Sequence, residues 1–527
     1  MTENNPYDQI PYTSFPFAQT HPDRLATLAS LHGLQPATIT RCRVLEVGCG
    51  DGSNLIPMAL GLPDSQFVGF DLAASPVQRG RELIAHLGLT NITIEQADLL
   101  EYTAEPFDYI IAHGLYAWVP PAVQDGLLAL CQRLLKPQGV AYLSYNAYPG
   151  CHLREMVREM MLFHLRGNDD PPTRIKQGIS LLQFLLSQYP SLEKAREDVY
   201  GTILKTQFEL LSNPMHREVV YHDYLSPFYR PVYFSQFAAH AAQHGLQYLS
   251  EADYAETQDI QFPPAIRQTL AQFDDEHIVH REQYLDFLKG RAFRQTLLCH
   301  ADRPLQRTVQ PEQLKNYLLS AKIEATSEPF DLTDKVVVEF TGPHGAQIQT
   351  DFPLAKAALL ALKEAWPQRL RWPELEAVAV NHLSAHHPEL HTREALAVLP
   401  EILLAAFSSG VVELALHRPA LQLDVTSHPV ASPLVRWQAL RSKVLTNLQH
   451  LGVILDDQLS CQLLPLLDGS RDHATLCDAL TALLVPQLPI SLPEGKILTD
   501  RSTLYQYLTD TMETSLQKFA RLALLTG

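Results

Sequence analysis

The sequence predicts an α/β fold: a doubly wound, largely parallel sheet that carries a helical insertion and is followed by two smaller units. Three observations support that prediction. Between residues 43 and 145 short apolar strands alternate with helical stretches, the order that buries a parallel sheet between helix layers. A glycine-rich turn, VLEVGCGDGSN, joins the first of those strands to the first helix. Finally, a chain of 527 residues exceeds one hydrophobic core, since domains average about 100 to 200 residues.

Taken in order, RVLEVG, QFVGFDL, NITIEQAD, FDYIIAHG and GVAYLSYN read as strands, and residues 53–60, 74–87 and 122–135 show helical spacing. HLGLTN and LLKPQG supply the glycine or proline expected beyond a helix end. From Pro149 the pattern turns helical. Leu153, Met156, Val157, Met160 and Met161 fall on one face of a helix over 152–164, and longer helices are expected over 174–188 and 191–211. A helix stopped at Gly245 and followed by a strand, and a further strand in RAFRQTLLCH, fit the last two strands of the same sheet. On that reading residues 1–150 and 230–304 form one domain and 151–229 is an insertion. Beyond it, PLAKAALLALKEAW, RWPELEAVAV, REALAVLPEILLAAF and GVVELALHRP suit a winged-helix-like unit over 305–420, with a mostly helical unit over 421–527.

Charge and cysteine usage exclude several classes. The formal net charge is −17, a field that repels phosphate backbones and favours basic partners, so no nucleic-acid partner is expected and the winged-helix pattern is assigned to protein contact or scaffolding. Seven scattered cysteines without C-x-x-C fit a reducing cytoplasm and no structural zinc. The opening MTENNPYDQIPY lacks the features of a secretory signal. The longest apolar run, Ala397 to Leu416, contains Pro400, Glu401 and Glu413 and is broken at Ser408-Ser409-Gly410. No membrane span is expected.

The glycine turn predicts a nucleotide site. Glu46, Gly48, Gly50 and Gly52 stand between a strand and a helix, where glycine lets the backbone turn tightly and approach a ligand. Asp71 ends the second strand, where a carboxylate accepts from ribose hydroxyls. Asp98 ends the third, placed to accept from an adenine amino group while the N–H of Leu99 donates to the ring. The pattern is E-x-G-x-G-x-G, without a G-x-x-x-x-G-K-[ST] phosphate loop. An acid at the mouth of the turn suits a cationic amino-acid moiety better than a pyrophosphate.

These motifs resemble those of the class I S-adenosylmethionine-dependent methyltransferases. The resemblance extends to PYTSFPFAQTHPDRLATLASLHGL, NAYPGCHLREMVREMM, HDYL and EQYLDFLKGRAFRQTLLCHA, which look like bacterial methyltransferases with a methyltransferase regulatory domain, among them outer-membrane-protein lysine methyltransferases. It implies a Rossmann-like seven-stranded sheet, S-adenosyl-L-methionine as cofactor, a dimerising helical insertion, and methyl transfer to lysines of a protein substrate. It also implies that Glu46, Gly48, Gly50, Gly52, Asp71 and Asp98 hold the cofactor. The segment 12–22, beginning at Tyr12, would cover it, and His113 would face it through its carbonyl or its ring.

Methyl transfer is an in-line displacement governed by alignment and by desolvation of the acceptor amine, whose pKa of about 10.4 falls on burial. Ligands in such sheets bind beyond the carboxyl ends of the strands. That places Tyr116 and Trp118 after the fourth strand, and Tyr145 and Tyr148 after the fifth, as candidates for the acceptor wall, with core or interface packing as the alternative for Tyr116 and Trp118. A second aromatic group, Tyr221 to Phe234, is either a junction or a wall, and His222-Asp223 within it reads as a surface pair. NHLSAHHPELH at 381–391 is histidine-rich but reads as a loop, and no metal site is expected. Two other functions compete with lysine methylation: small-molecule methylation, and a cofactor-sensing interaction protein with little catalysis.

Overall fold

The computed structural model describes residues 6–10, 12, 15–167, 170–213, 217–326, 331–333, 335–386, 393–455, 457–492 and 497–526. Its centre is a seven-stranded sheet made of β1 (Arg43–Val47), β2 (Gln66–Asp71), β3 (Ile92–Gln96), β4 (Phe107–Ala112), β5 (Leu135–Asn146), β6 (Leu246–Glu251) and β7 (Phe293–His300), in the order β3-β2-β1-β4-β5-β7-β6. Strands β1 to β5 are parallel, and β7 runs antiparallel to both β5 and β6. Every residue of β4 is buried, as expected for a central parallel strand covered on both faces.

Helices α1 (Pro6–Gln9), α2 (Pro22–Leu31), α3 (Leu55–Gly61), α4 (Ala74–Leu87) and α5 (Pro121–Leu134) accompany the first five strands. On one face, Leu127, Leu128 and Cys131 of α5 pack with Phe237 and Ala241 of a later helix against Ile110, Ala112 and Leu143. On the other, residues of α2, α3 and α4 share a core with the unit that follows residue 305, so Leu28, Ile56 and Tyr142 belong to the same apolar cluster as Leu319, Leu359 and Leu403. Polar contacts reinforce that junction. Asp23 of α2 accepts from the backbone N–H groups of Leu416 and His417 and pairs with Arg369.

The helical insertion comprises α6 (Cys151–His164), α7 (Pro171–Leu186), α8 (Leu192–Ala195), α9 (Val199–Leu211) and the short α10 (Arg217–Val219), which runs into a single π-turn, Val220–Tyr224. It has its own core of Val157, Met161, Leu182, Leu204, Val220 and Tyr224. Two expectations change here. Leu153 remains half exposed, so the apolar face of α6 that meets the insertion core begins at Met156. The helix expected over 191–211 breaks in two because Asp198 caps α9, its carboxylate accepting from Gly201 N–H at 2.6 Å. The chain then returns through α11 (Phe234–Gln243), β6, α12 (Pro264–Leu270), α13 (Ile278–Lys289) and β7. Buried Arg294 of β7 joins these elements by ion pairs to Glu251, Glu282 and Asp286.

Past residue 305, helices Pro353–Ala365, Trp372–His386 and Arg393–Ser408 pack with a three-stranded sheet of Leu318–Ser320, Leu370–Arg371 and Glu413–Ala415. A last unit, with a separate core, holds helices Pro433–Ala439, Gln458–Leu463, His473–Leu484 and Arg501–Arg521 and the two-stranded ribbons Val444–Thr446/Gly452–Ile454 and Ile490–Ser491/Ile497–Leu498. Among the described residues no helix is long and apolar enough to cross a membrane. In the histidine-rich stretch at 381–391, read from the sequence as a loop, residues 381–386 instead close the helix Trp372–His386, and residues 387–391 lie outside the described residues.

Candidate functional site

The site is built at the carboxyl ends of β1 and β2. The turn after β1 holds Gly48, Gly50 and Gly52 at positive φ. Gly52 has φ +75°, and a Cβ there would meet Ile94 Cδ1 at 2.3 Å. Gly50 has φ +55° and open space where a Cβ would project. The turn is tied to the second strand through Asp71: its Oδ2 accepts from Gly50 N–H at 2.9 Å and its Oδ1 from Ala73 N–H at 2.8 Å. Burial raises the Asp71 pKa while those two backbone donors oppose the rise. A carboxylate offers about four lone-pair sites, so both oxygens keep capacity for ribose hydroxyls. Asp98 is exposed beyond β3, with Oδ1 accepting from Leu100 N–H at 2.9 Å, and Leu99 beside it is buried.

Glu46 and Asn54 form the floor. Asn54 Nδ2 donates to Glu46 Oε1 at 2.7 Å, which orients the carboxamide and turns its Oδ1 toward Phe17 N–H at 2.9 Å and His450 Nε2 at 2.9 Å. The second Glu46 oxygen, Oε2, is buried without a partner. Burial lifts the Glu46 pKa to about 8 against the lowering effect of the Asn54 bond. These features fit S-adenosylmethionine: an unpartnered carboxylate oxygen for an ammonium group, a glycine with nothing beside it, and an aspartate with free lone pairs at the next strand end.

The N-terminal segment lies over this floor. Asp8 of α1 accepts from Ser75 N–H and Ser75 Oγ at the start of α4. Tyr7 stacks on His222 of the π-turn at 4.3 Å, Tyr12 meets the same ring edge-on at 5.4 Å, and His222 Nε2 bonds to the Ile10 carbonyl at 2.8 Å. The Tyr7 hydroxyl is within electrostatic reach of both Asp71 and Asp223, so this segment spans from the end of β2 to the insertion. Phe17 stacks on His113 at 3.7 Å, and His113 Nδ1 bonds to Tyr142 Oη at 2.9 Å. Burial holds the His113 pKa down at about 4, so its ring is neutral at pH 7.

The four acceptor-wall candidates separate. Tyr116 and Tyr145 are core residues: both are buried, they pack around Phe237, and their hydroxyls bond to His240 Nδ1 at 2.8 Å and Thr296 Oγ1 at 3.1 Å. The 3-10 turn Tyr116–Trp118 points its first ring into the sheet and leaves the third half-buried. Trp118 faces Tyr229 at 4.8 Å. Tyr148 is half-buried, stacks on His152 at 4.1 Å, and donates to Glu155 at 2.8 Å. Burial and the Glu155 carboxylate both push its phenol pKa up.

Residues that sequence reasoning passed over complete the site. Asp223, read as half of a surface pair, sits in the π-turn beside Arg154 (3.6 Å), and burial raises its carboxyl to about 6 against the guanidinium's pull. Within two positions of it, the same turn buries His222 and Tyr224. A π-turn has no periodicity signal, although such turns cluster at functional sites. Asn54 follows the glycine turn directly before α3, where its side chain makes no capping bond and bonds to Glu46 instead. His450 comes from the last unit and left no local signal.

Family models agree with this layout. The chain matches a methyltransferase domain at residues 40–168, a predicted methyltransferase regulatory domain at 216–300, and the PKMT C-terminal winged-helix domain at 427–524. The winged-helix description thus attaches to the last unit, whereas the sequence pattern pointed to 305–420. Strands of two or three residues are too short to show alternation. An uncharacterised protein of Rickettsia prowazekii, RP789, is 30% identical over this whole chain and 94% of its own length. A second uncharacterised protein of the same organism, RP028, is 34% identical over 44% of this chain and 91% of its own. PKMT2 from Rickettsia typhi, solved in complex with AdoHcy, has 28% identity and a TM-score of 0.85, covering 98% of this chain and all of that one. The chain therefore belongs to the S-adenosylmethionine-dependent methyltransferases that join a class I catalytic sheet to a methyltransferase regulatory domain and a PKMT-type C-terminal winged helix.

Proposed function

We propose that this enzyme methylates lysine side chains of a protein substrate. The observation that carries the reading is the likeness to PKMT2, a protein lysine methyltransferase, which extends through the C-terminal units and not only the catalytic sheet. The negative formal charge supports a lysine-rich partner. When bound, S-adenosylmethionine supplies an electrophilic methyl group on a sulfonium. Glu46 Oε2 receives the ammonium of its amino-acid end, Asp71 the ribose hydroxyls, and Asp98 with the Leu99 N–H the adenine, while Phe17, His113, Tyr7 and Tyr12 exclude water from above.

Trp118, Tyr229, Tyr148 and Asp223 are the residues this reading assigns to the acceptor amine. Aromatic faces hold a lysine stem and its cation, at about 0.5 to 2 kcal/mol each. Asp223 attracts the ammonium, and apolar walls lower the amine's pKa so that it reacts neutral. Residues 1–150 with 230–304 serve as catalytic domain, 305–420 and 421–527 present substrate, and 151–229 forms a homodimer through exposed Phe163, Phe184 and Val199. The enzyme acts in the cytoplasm. Incubation of the purified chain with labelled S-adenosylmethionine and fractionated lysate, followed by mass spectrometry, is expected to place label on lysine in a protein. Label confined to the metabolite fraction overturns the reading in favour of a small-molecule acceptor.

A further inference from the structure

The sequence HAAQH at 240–244 places two histidines four residues apart, and positions i and i+4 lie on one face of a helix. His240 closes the last turns of α11 and His244 follows them directly. Both turn toward Asp125 in the early turns of α5, the helix that packs beside α11 on the sheet. Asp125 Oδ1 lies 2.9 Å from His244 Nε2 and 3.5 Å from His240 Nε2. One ligating atom from each residue falls within 4.8 Å of the other two, and among the described residues this is the one such trio of His, Cys, Asp or Glu. Four-coordinate zinc with bonds of about 2.0 to 2.2 Å sets its ligand atoms about 3.3 Å apart. Small rotamer changes therefore bring these atoms onto one ion.

The donor set selects the cation. Two imidazoles and one carboxylate suit zinc and its transition-metal neighbours, whereas magnesium and calcium take oxygen ligands. His240 is also held from behind: its Nδ1 lies 2.8 Å from the Tyr116 hydroxyl, and the Tyr116 carbonyl accepts from Gln124 Nε2 at 2.7 Å. A metal-ligating histidine almost always engages its second nitrogen in this way, which fixes the ring and frees Nε2 to bind. Asp125 is exposed while both histidines are half-buried, so an ion reaches the trio from solvent and keeps a coordination position for water.

We propose that Asp125, His240 and His244 bind one divalent transition cation of the zinc class, through one carboxylate oxygen and two imidazole Nε2 atoms. The ion braces α5 against α11. Through His240 and Tyr116 it also stiffens the turn that ends at Trp118.

The test is titration of the metal-stripped full-length chain with Zn2+ in competition with a chromogenic chelator. One site is expected, with affinity in the micromolar range or tighter, and a rise in melting temperature on saturation. His244→Ala and Asp125→Asn should each weaken it at least tenfold, and Tyr116→Phe should weaken it about 10- to 100-fold by freeing His240. His244→Gln preserves side-chain bulk, and melting in EDTA establishes that each variant is folded. Co2+ in place of Zn2+ should give a tetrahedral visible spectrum that His244→Gln abolishes. Zinc binding unchanged in folded His244→Gln and Asp125→Asn, or a dissociation constant above about 1 mM in the parent chain, overturns the proposal.

Discussion

Glu46 gives the sharpest prediction, because its buried carboxyl must ionise to receive an ammonium group. With a pKa of about 8, about one molecule in eleven is ionised at pH 7, and ionising the rest costs about 1.4 kcal/mol. The cost grows by the same amount for each unit the pH falls. The ligand's amino group stays protonated below about 7.7, so between pH 6 and 7 the affinity for S-adenosylhomocysteine should rise about tenfold. It should level off near pH 8. Titration calorimetry at pH 7 in two buffers of different ionisation enthalpy should register about 0.7 proton released per ligand bound, about 0.9 from Glu46 less about 0.2 taken up by the amino group. Glu46→Gln should bind more weakly at pH 8, and its affinity should be flat from pH 6 to 7. Stability follows the opposite course without ligand. A carboxyl that keeps its proton to about 8 when folded but releases it near 4.5 when unfolded makes the fold less stable as pH rises through that window. Flat wild-type binding between pH 6 and 7, or an equal slope in Glu46→Gln, would refute the reasoning.

Other substitutions test neighbouring contacts. Asn54→Ala strands the Phe17 N–H and the His450 imidazole and leaves Glu46 without its donor; at about 1 to 3 kcal/mol for each buried unsatisfied group, a loss of at least about 3 kcal/mol is expected in urea unfolding, with weaker S-adenosylhomocysteine binding. Arg294→Met leaves Glu251, Glu282 and Asp286 buried together without their shared cation, and about 3 to 5 kcal/mol should be lost; an unchanged denaturation midpoint would show that water screens the cluster. Asp71→Ala should abolish nucleoside binding, whereas Trp118→Ala should slow methyl transfer with S-adenosylhomocysteine affinity largely kept. Equal losses of affinity in the two would make Trp118 a structural residue.

Much of the sheet was legible because its signals are local. β1 to β4 begin and end within two residues of the apolar runs that predict them, and α4 matches residue for residue. The same local signals placed Glu46 next to the end of β1 and Asp71 at the end of β2. Tyr116 and Tyr145 were not, since an aromatic beside a strand end has two faces available. Which one it takes depends on Phe237, more than 90 positions later, offering a hydrophobic partner. Asn54 and His450 lie further from any local rule: their bond spans 396 positions. The helix over 191–211 failed differently, through a cap at Asp198 that outweighed an unbroken helical composition. Asp223 was hidden by the π-turn, whose spacing matches neither a helix nor a strand.

The bond from Asn54 to His450 also imposes an order on the birth of the enzyme. The sheet's first five strands leave the ribosome early, but the residue that completes the floor beneath them is made 396 positions later. At about 5 to 20 residues per second, the unfinished floor waits roughly 20 to 80 s for its last partner. Until then Asn54 lacks the imidazole as a partner. A chain cut short before residue 450 lacks that partner altogether.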